Sequence, residues 1–274
     1  MTVFSSLDQG RAAFERQAWG SAYQHLTAAD REAALEPEDL ERLAITAHLV
    51  GRDAESTDAW ARAHHAFLAR GAAPGAARCA FWLGFTALIQ GEPAQRGGWL
   101  ARGQRLLDDG RHDCVERGYL LMLQALRCMW AGDNSTLHAT YDQAARIGER
   151  FGDAQLMAFG RLGVGEALIR SGQTAAGVAL FDEVMVAVTT GEVPAIGVGI
   201  IYCAVWRRGG DPRFTAADGA GGKPSCRRRI WHGWPRRTPS SSPTPRLGTR
   251  RAHPGRTAAR APPRAWWAPR ARTG

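Results

Sequence analysis

From Met1 to about Val205 small and large apolar residues recur at three- and four-residue steps between polar ones, the signature of amphipathic helices, and the arrangement itself repeats. Ala44, Gly84, Ala125 and Gly165 form one column at intervals of 40, 41 and 40 residues. Three residues on come Ala47, Ala87, Cys128 and Leu168, and seven on come Gly51, Gly91, Gly132 and Gly172. Sixteen on, the column reads Trp60, Leu100, Tyr141 and Phe181, and nineteen on Ala63, Gly103, Ala144 and Val184. A less regular first copy uses Gly10, Ala13, Leu26 and Ala29, 34 residues ahead of the second.

Small residues at i and i+3 let a second helix approach a first closely, and a glycine past the first helix ends it in the left-handed conformation. A large apolar residue on the second helix then fills the groove between them. The pattern predicts an all-α fold, a tetratricopeptide-like α-solenoid of about five helix pairs plus the start of a sixth, with a concave inner surface. Ten main helices and the beginning of an eleventh are expected before about residue 210.

The pattern stops inside the sixth copy, after GVGIIYCAV. Residues 207–274 carry 17 Lys+Arg against Asp211 and Asp218, and ten of the 14 prolines. The chain therefore divides into a helical repeat domain, 1–206, and an Arg/Pro-rich tail, 207–274, expected to be disordered. The net charge of +9 belongs to the tail, since the front holds 18 basic against 24 acidic residues, a balance of −6. Two readings of the tail stand: a native basic tail that neutralises phosphates, or an out-of-frame translation of GC-rich coding DNA. The break in mid-repeat favours the second. Because only half of the sixth hairpin exists, Ile196, Val198, Ile200, Ile201, Tyr202 and Val205 are expected to be covered on one side only, which invites self-association. Ending the chain near Glu192 is then expected to leave its melting nearly unchanged.

Five cysteines without any C-x-x-C pair read as reduced thiols, mostly buried. The first residues hold an early Asp8 and no apolar stretch of signal-peptide length, so secretion is not expected and the cytoplasm is. Val193–Trp206, 14 residues, is short of the roughly 20 a membrane span needs and reads as a buried helix.

ARCAFWLGFTALIQGEPA, residues 77–94, is the copy nearest to the tetratricopeptide consensus. Beyond this, QAWGSAYQHLTAADREAALEPEDLERLA, GRDAESTDAWARAHHAFL, DCVERGYLL and MVAVTTGEVPAIGVGIIYCAV resemble the amino-terminal sensor region of actinobacterial LuxR-type transcriptional regulators. That resemblance implies a cytoplasmic helical sensor of a protein, peptide or small effector. In such regulators DNA is bound by a carboxyl-terminal helix-turn-helix domain, and no stretch after Val205 has the pattern of one.

The residues offer little catalytic chemistry. The only lysine, Lys223, sits in GGKPS, where Pro224 replaces the hydroxyl residue of a phosphate loop. Gly163 and Gly165 in GRLGVGEAL suit helix packing better than a dinucleotide turn, because Leu168 stands where the third glycine belongs. His112, Asp113 and Cys114 are adjacent, a poor arrangement for one metal ion. Of His64 and His65, one is expected to face solvent and the other to pack. No catalytic, cofactor or metal site is therefore expected, and the chain is read as a binding scaffold rather than an enzyme.

With the small columns packing hairpin to hairpin, the opposite side of each first helix can line the concave surface. The candidate groove residues are Glu41, His48, Phe81, Phe85, Met122, Met129, Trp130, Glu166 and Arg170, with Ile45, Leu126 and Ile169 beside them. Aromatic and methionine side chains suit an apolar helix or peptide. The competing reading makes the same residues core. The alternative function is nucleic-acid association through the tail, where Trp231, Trp234, Trp266 and Trp267 alternate with arginines.

Overall fold

The computed structural model of the chain describes residues 5–131 and 133–208, without the side chains of Trp130, Ala131, Cys203 and residues 206–208. The expected disorder of 207–274 and the domain boundary near 206 lie at or outside that limit. Eleven helices follow one another among the described residues: α1 (Ser6–Glu15), α2 (Trp19–Glu32), α3 (Pro37–Leu49), α4 (Asp53–Ala69), α5 (Ala73–Gln90), α6 (Pro93–Asp109), α7 (Glu116–Ala131), α8 (Asn134–Phe151), α9 (Ala154–Arg170), α10 (Thr174–Thr190) and α11 (Ala195–Arg208). They pack as antiparallel pairs, α1/α2 to α9/α10, each pair lying on the next, in a repeat-like all-α arrangement.

The columns explain the close packing. Ala44 and Ala125 are fully buried. A methyl group on Gly84 would fall 2.8 Å from Leu123, and one on Gly165 2.8 Å from Phe181 and 2.9 Å from the Gly177 carbonyl. Glycine in a helix interior costs about 1 kcal/mol relative to alanine, which the approach of the neighbouring helix offsets. Trp60, Leu100, Tyr141 and Phe181, the large column on the second helices, are all buried and join one continuous core.

Nine of the ten junctions between helices are closed by the same bond, from an amide to the carbonyl five residues back: Ala18 to Ala13, Arg52 to Ala47, Ala72 to Phe67, Glu92 to Ala87, His112 to Leu107, Asp133 to Cys128, Asp153 to Gly148, Gln173 to Leu168 and Glu192 to Ala187. This is the Schellman closure, which needs a left-handed residue just before the donor. Gly51, Gly91 and Gly172 supply it after the first helices as the sequence pattern predicts, and Gly71, Gly152 and Gly191 supply it after the second. Arg111 takes the equivalent place after α6 at φ 48°. The donors recur every 19 to 21 residues from Arg52 to Glu192, so first and second helices are nearly equal and the turns between and within pairs are alike. The exception is α2/α3, where Pro37 holds Glu36 extended at ψ 153°.

The eleventh helix departs from the repeat. After the turns at Gly51, Gly71, Gly91, Gly152 and Gly172 the next helix begins one residue past the closing amide, whereas Asp113–Val115 intervene before α7, and Val193 and Pro194 before α11. Proline disfavours helix at the residue before it, so α11 starts two residues late. It packs on α9, as a sixth first helix should, and also on α3, back in the second hairpin. The expectation of one-sided cover is thereby corrected: Ile201 is fully buried, Ile196 and Val193 are 6% and 4% exposed, and Val198, Ile200, Tyr202 and Val205 pack against the core. Because α11 packs on α3 and α9, truncation near Glu192 is now expected to lower stability.

Candidate functional site

The first helices α5, α7 and α9 pack side by side, and α11 carries the row from α9 round to α3. The candidate groove residues on these helices divide by depth. Phe81 and Met122, three residues before the small column, are 1% and 9% exposed and belong to the core, not to an open wall. Phe81 is enclosed by aromatic rings, with Trp82 at 5.0 Å, Tyr119 at 5.0 Å and Phe85 at 6.1 Å between centroids.

Nearer the C-terminal ends of the same helices the side chains open toward solvent. Ile45, His48, Phe85, Leu126, Met129 and Ile169 are half-buried, and Ile89 is 48% exposed. Glu166 and Arg170 lie at the end of this row on α9 and pair with each other at 2.9 Å, one turn apart. Trp130 belongs to α7, and its side chain lies outside the described residues. Five of the nine predicted residues lie at this half-open rim or its polar end, His48, Phe85, Met129, Glu166 and Arg170, while Glu41 lies deeper in α3.

A polar ladder, absent from the motifs read in the sequence, links consecutive hairpins beneath the rim. Arg78 on α5 donates from Nη2 to Glu116 on α7 at 2.5 Å and approaches Glu41 on α3 at 3.9 Å. Glu116 is 3% exposed in its side chain and Glu41 14%, so one guanidinium serves two shielded carboxylates. Burial pushes the Glu41 carboxyl up to about 7, with Arg78 opposing it. Tyr119 donates to Asp153 at 2.9 Å, one repeat on, while Asp153 caps α9 by accepting from the Leu156 amide at 2.8 Å. Asp39, fully buried, accepts from Arg11 Nε and Arg42 Nη1, both at 2.9 Å; burial works against its ionisation, but the two arginines outweigh it and hold its carboxyl low. The signal for the ladder was available as opposite charges one repeat apart: 38 residues separate Arg78 from Glu116.

The remaining candidates are placed apart from this row. His64 is fully buried, with Nδ1 2.8 Å from the Ala76 carbonyl and Trp99 edge-on, while His65 is exposed, as the sequence predicts of the pair. Asp113 pairs with Arg150 at 3.1 Å and His112 lies over Gly110, so the three adjacent ligand types turn to different neighbours. Burial raises the Cys79 thiol, and raises Cys114 to about 11 with help from Glu116, which keeps both in the unreactive protonated form. Among the described residues no group of three or more His, Cys, Asp or Glu is placed to hold a metal ion. Gly163 and Gly165 lie within α9 and pack against Tyr141 and Phe181, a structural use. A hollow of about 330 Å³ between α2 and α4 is lined by Tyr23, Thr27, Asp30, Glu55, Asp58 and Arg62, and Arg62 already spans it to Asp30 at 2.5 Å.

No described helix is long and apolar enough to cross a membrane. No protein-family model matches the chain, and no curated protein matches its sequence.

Proposed function

We propose that this helical-repeat scaffold binds the apolar face of a helix or peptide along the rim of its first helices, as a cytoplasmic sensor module of the LuxR-regulator type whose output lies elsewhere. The observation that carries the reading is the row Ile45, Phe85, Leu126, Met129 and Ile169, half-buried apolar side chains one or four residues after the small column on four successive first helices. A row of this kind gives a partner helix contacts at its own i, i+3, i+4 and i+7 positions, and methionine with phenylalanine adapts to its shape. The polar end at Glu166–Arg170 is neutral as a pair and gives orientation rather than net charge. Catalysis is not part of this proposal, because the titratable groups beneath the rim are committed to one another. A small effector seated among the same side chains is the variant of the reading that the test separates.

The test is selection of 14-residue helical peptides from a display library against the full chain, followed by affinity measurement on variants. Phe85→Glu and Met129→Glu should each weaken binding at least tenfold, whereas Gly98→Glu, on the open side of α6, should not. Binders whose affinity follows Gly98→Glu, or ignores both rim changes, would refute the groove.

A further inference from the structure

We propose that α11 is the resident occupant of this groove, and that a partner helix of the same make, short, apolar on all sides and carrying small residues near its start, gains the groove by displacing it. The proposal rests on the groove reading above and adds its regulation.

Position is the first argument. In a regular stack an eleventh helix lies on the ninth and tenth, with its own hairpin partner on the far side. Here α11 packs on α9 and on α3, which belongs three hairpins earlier, so it bridges the two limits of the row that forms the groove. Gly197 seats it against the first turn of α9, where an added methyl group would stand 3.1 Å from Gln155.

Burial is the second. Every described side-chain position from Ala195 to Val205 is buried or half-buried, although the helix is apolar on all sides. The last apolar helix is thus covered around its described length rather than on one face only.

The link is the third. Val193 and Pro194 are the only residues between the turn at Gly191–Glu192 and α11, so the helix is tethered beside its own site. A short tether gives an effective concentration on the order of millimolar, which suppresses a weak competitor and yields to a strong one. A mixed surface of half-buried rather than fully buried contacts at Val198, Ile200, Tyr202 and Val205 leaves such exchange open.

The experiment uses the full chain and a fluorescein-labelled synthetic peptide of sequence Ala195–Arg208 carrying Cys203→Ser. Ile201→Asp places a charge at a side chain that is fully buried in α11 and should unseat the helix. Hydrogen exchange over α3 and α9 should then rise, and the peptide should bind the variant at least tenfold more tightly than the wild-type chain by fluorescence anisotropy. Unchanged exchange on α3 with unchanged peptide affinity overturns the role of α11 and leaves the groove reading standing. Exchange that rises without any peptide binding to either protein sinks the groove reading, and this proposal with it. Should Ile201→Asp lose its cooperative melt, Ile201→Ala trims the same side chain without a charge. It should shift affinity in the same direction by at least threefold, and a null shift there also overturns the proposal.

Discussion

Arg78 Nη2 lies 2.5 Å from Glu116 Oε1, and the Glu116 side chain is 3% exposed, so the N-terminal end of α7 is held to α5 by a shielded ion pair. Glu41 on α3 reaches the same guanidinium from the other side at 3.9 Å. Three consecutive first helices therefore share one arginine. Deleting that arginine leaves two shielded carboxylates without their cation, which for a fully buried pair costs about 3–5 kcal/mol. The Arg78 side chain is itself 44% exposed. Arg78→Met should accordingly cost less, about 2–3 kcal/mol in denaturant unfolding. Glu116→Gln should cost less again, since it removes the charge together with its need for a partner. A cost under about half a kcal/mol for Arg78→Met would assign the pair to the solvated surface.

Glycines inside the helices separate into two kinds that substitution tells apart. A methyl group on Gly163 would fall 2.2 Å from the Tyr141 ring, and one on Gly160 2.7 Å from the Ala145 backbone, which cannot move aside. Gly98 in α6 has nothing within 4 Å. Gly160→Ala should destabilise by at least about 2 kcal/mol through forced separation of α8 and α9, whereas Gly98→Ala should stabilise by about 0.5–1 kcal/mol through helix propensity. Thermal melts of the two single variants moving in the same direction would contradict this packing.

How far the sequence foretells the fold varies with how local the cause is. Helix pairs, the columns and the left-handed Gly51, Gly91 and Gly172 follow from contacts within one repeat, and all were legible. The matching glycines of the second helices, Gly71, Gly152 and Gly191, were equally visible 19 to 20 residues after their partners, but only a search at half the period brings them out. The return of α11 to α3 is of another kind. It depends on the curvature accumulated over four hairpins, a sum of small rotations that no single residue encodes, and only Pro194 marked the departure. Depth within the groove was hidden for the same reason: Phe81 and Phe85 share a helix face, yet one is core and the other rim.

Arg111 occupies, at φ 48°, the left-handed place that glycine fills after α4, α8 and α10. A residue with a Cβ pays roughly 1–2 kcal/mol in that conformation, and glycine recovers part of this after its greater unfolded-state entropy. Arg111→Gly should raise stability by about 0.5–1 kcal/mol without changing the α6/α7 junction, whose closing bond from His112 to Leu107 is between backbone atoms. A lowered melting temperature would show that the arginine side chain contributes more than its backbone costs.

Glu41 gives stability a pH dependence opposite in sign to that of an ordinary paired carboxylate. Burial raises its carboxyl from 4.5 to about 7, while the unfolded chain keeps the ordinary value. Between these two values the folded protein holds a proton that the unfolded chain has released, so this residue's contribution to stability falls as pH rises through the window and is level above it. The neutral amide of Glu41→Gln carries no such penalty. At pH 5 the folded wild type is already protonated, and the two proteins should melt within a degree or two of each other. At pH 8 the wild type must keep a shielded carboxylate ionised, a net cost on the order of 3 kcal/mol that already includes the opposing attraction of Arg78 at 3.9 Å, and Glu41→Gln should be the more stable. Arg78 retains Glu116 in that variant, so the cross-link from α5 to α7 is untouched. Melting temperatures of the two proteins, taken at half-unit steps from pH 4.5 to 8, should diverge up to about pH 7 and then keep a constant gap, and equal pH dependence throughout would place Glu41 in solvent.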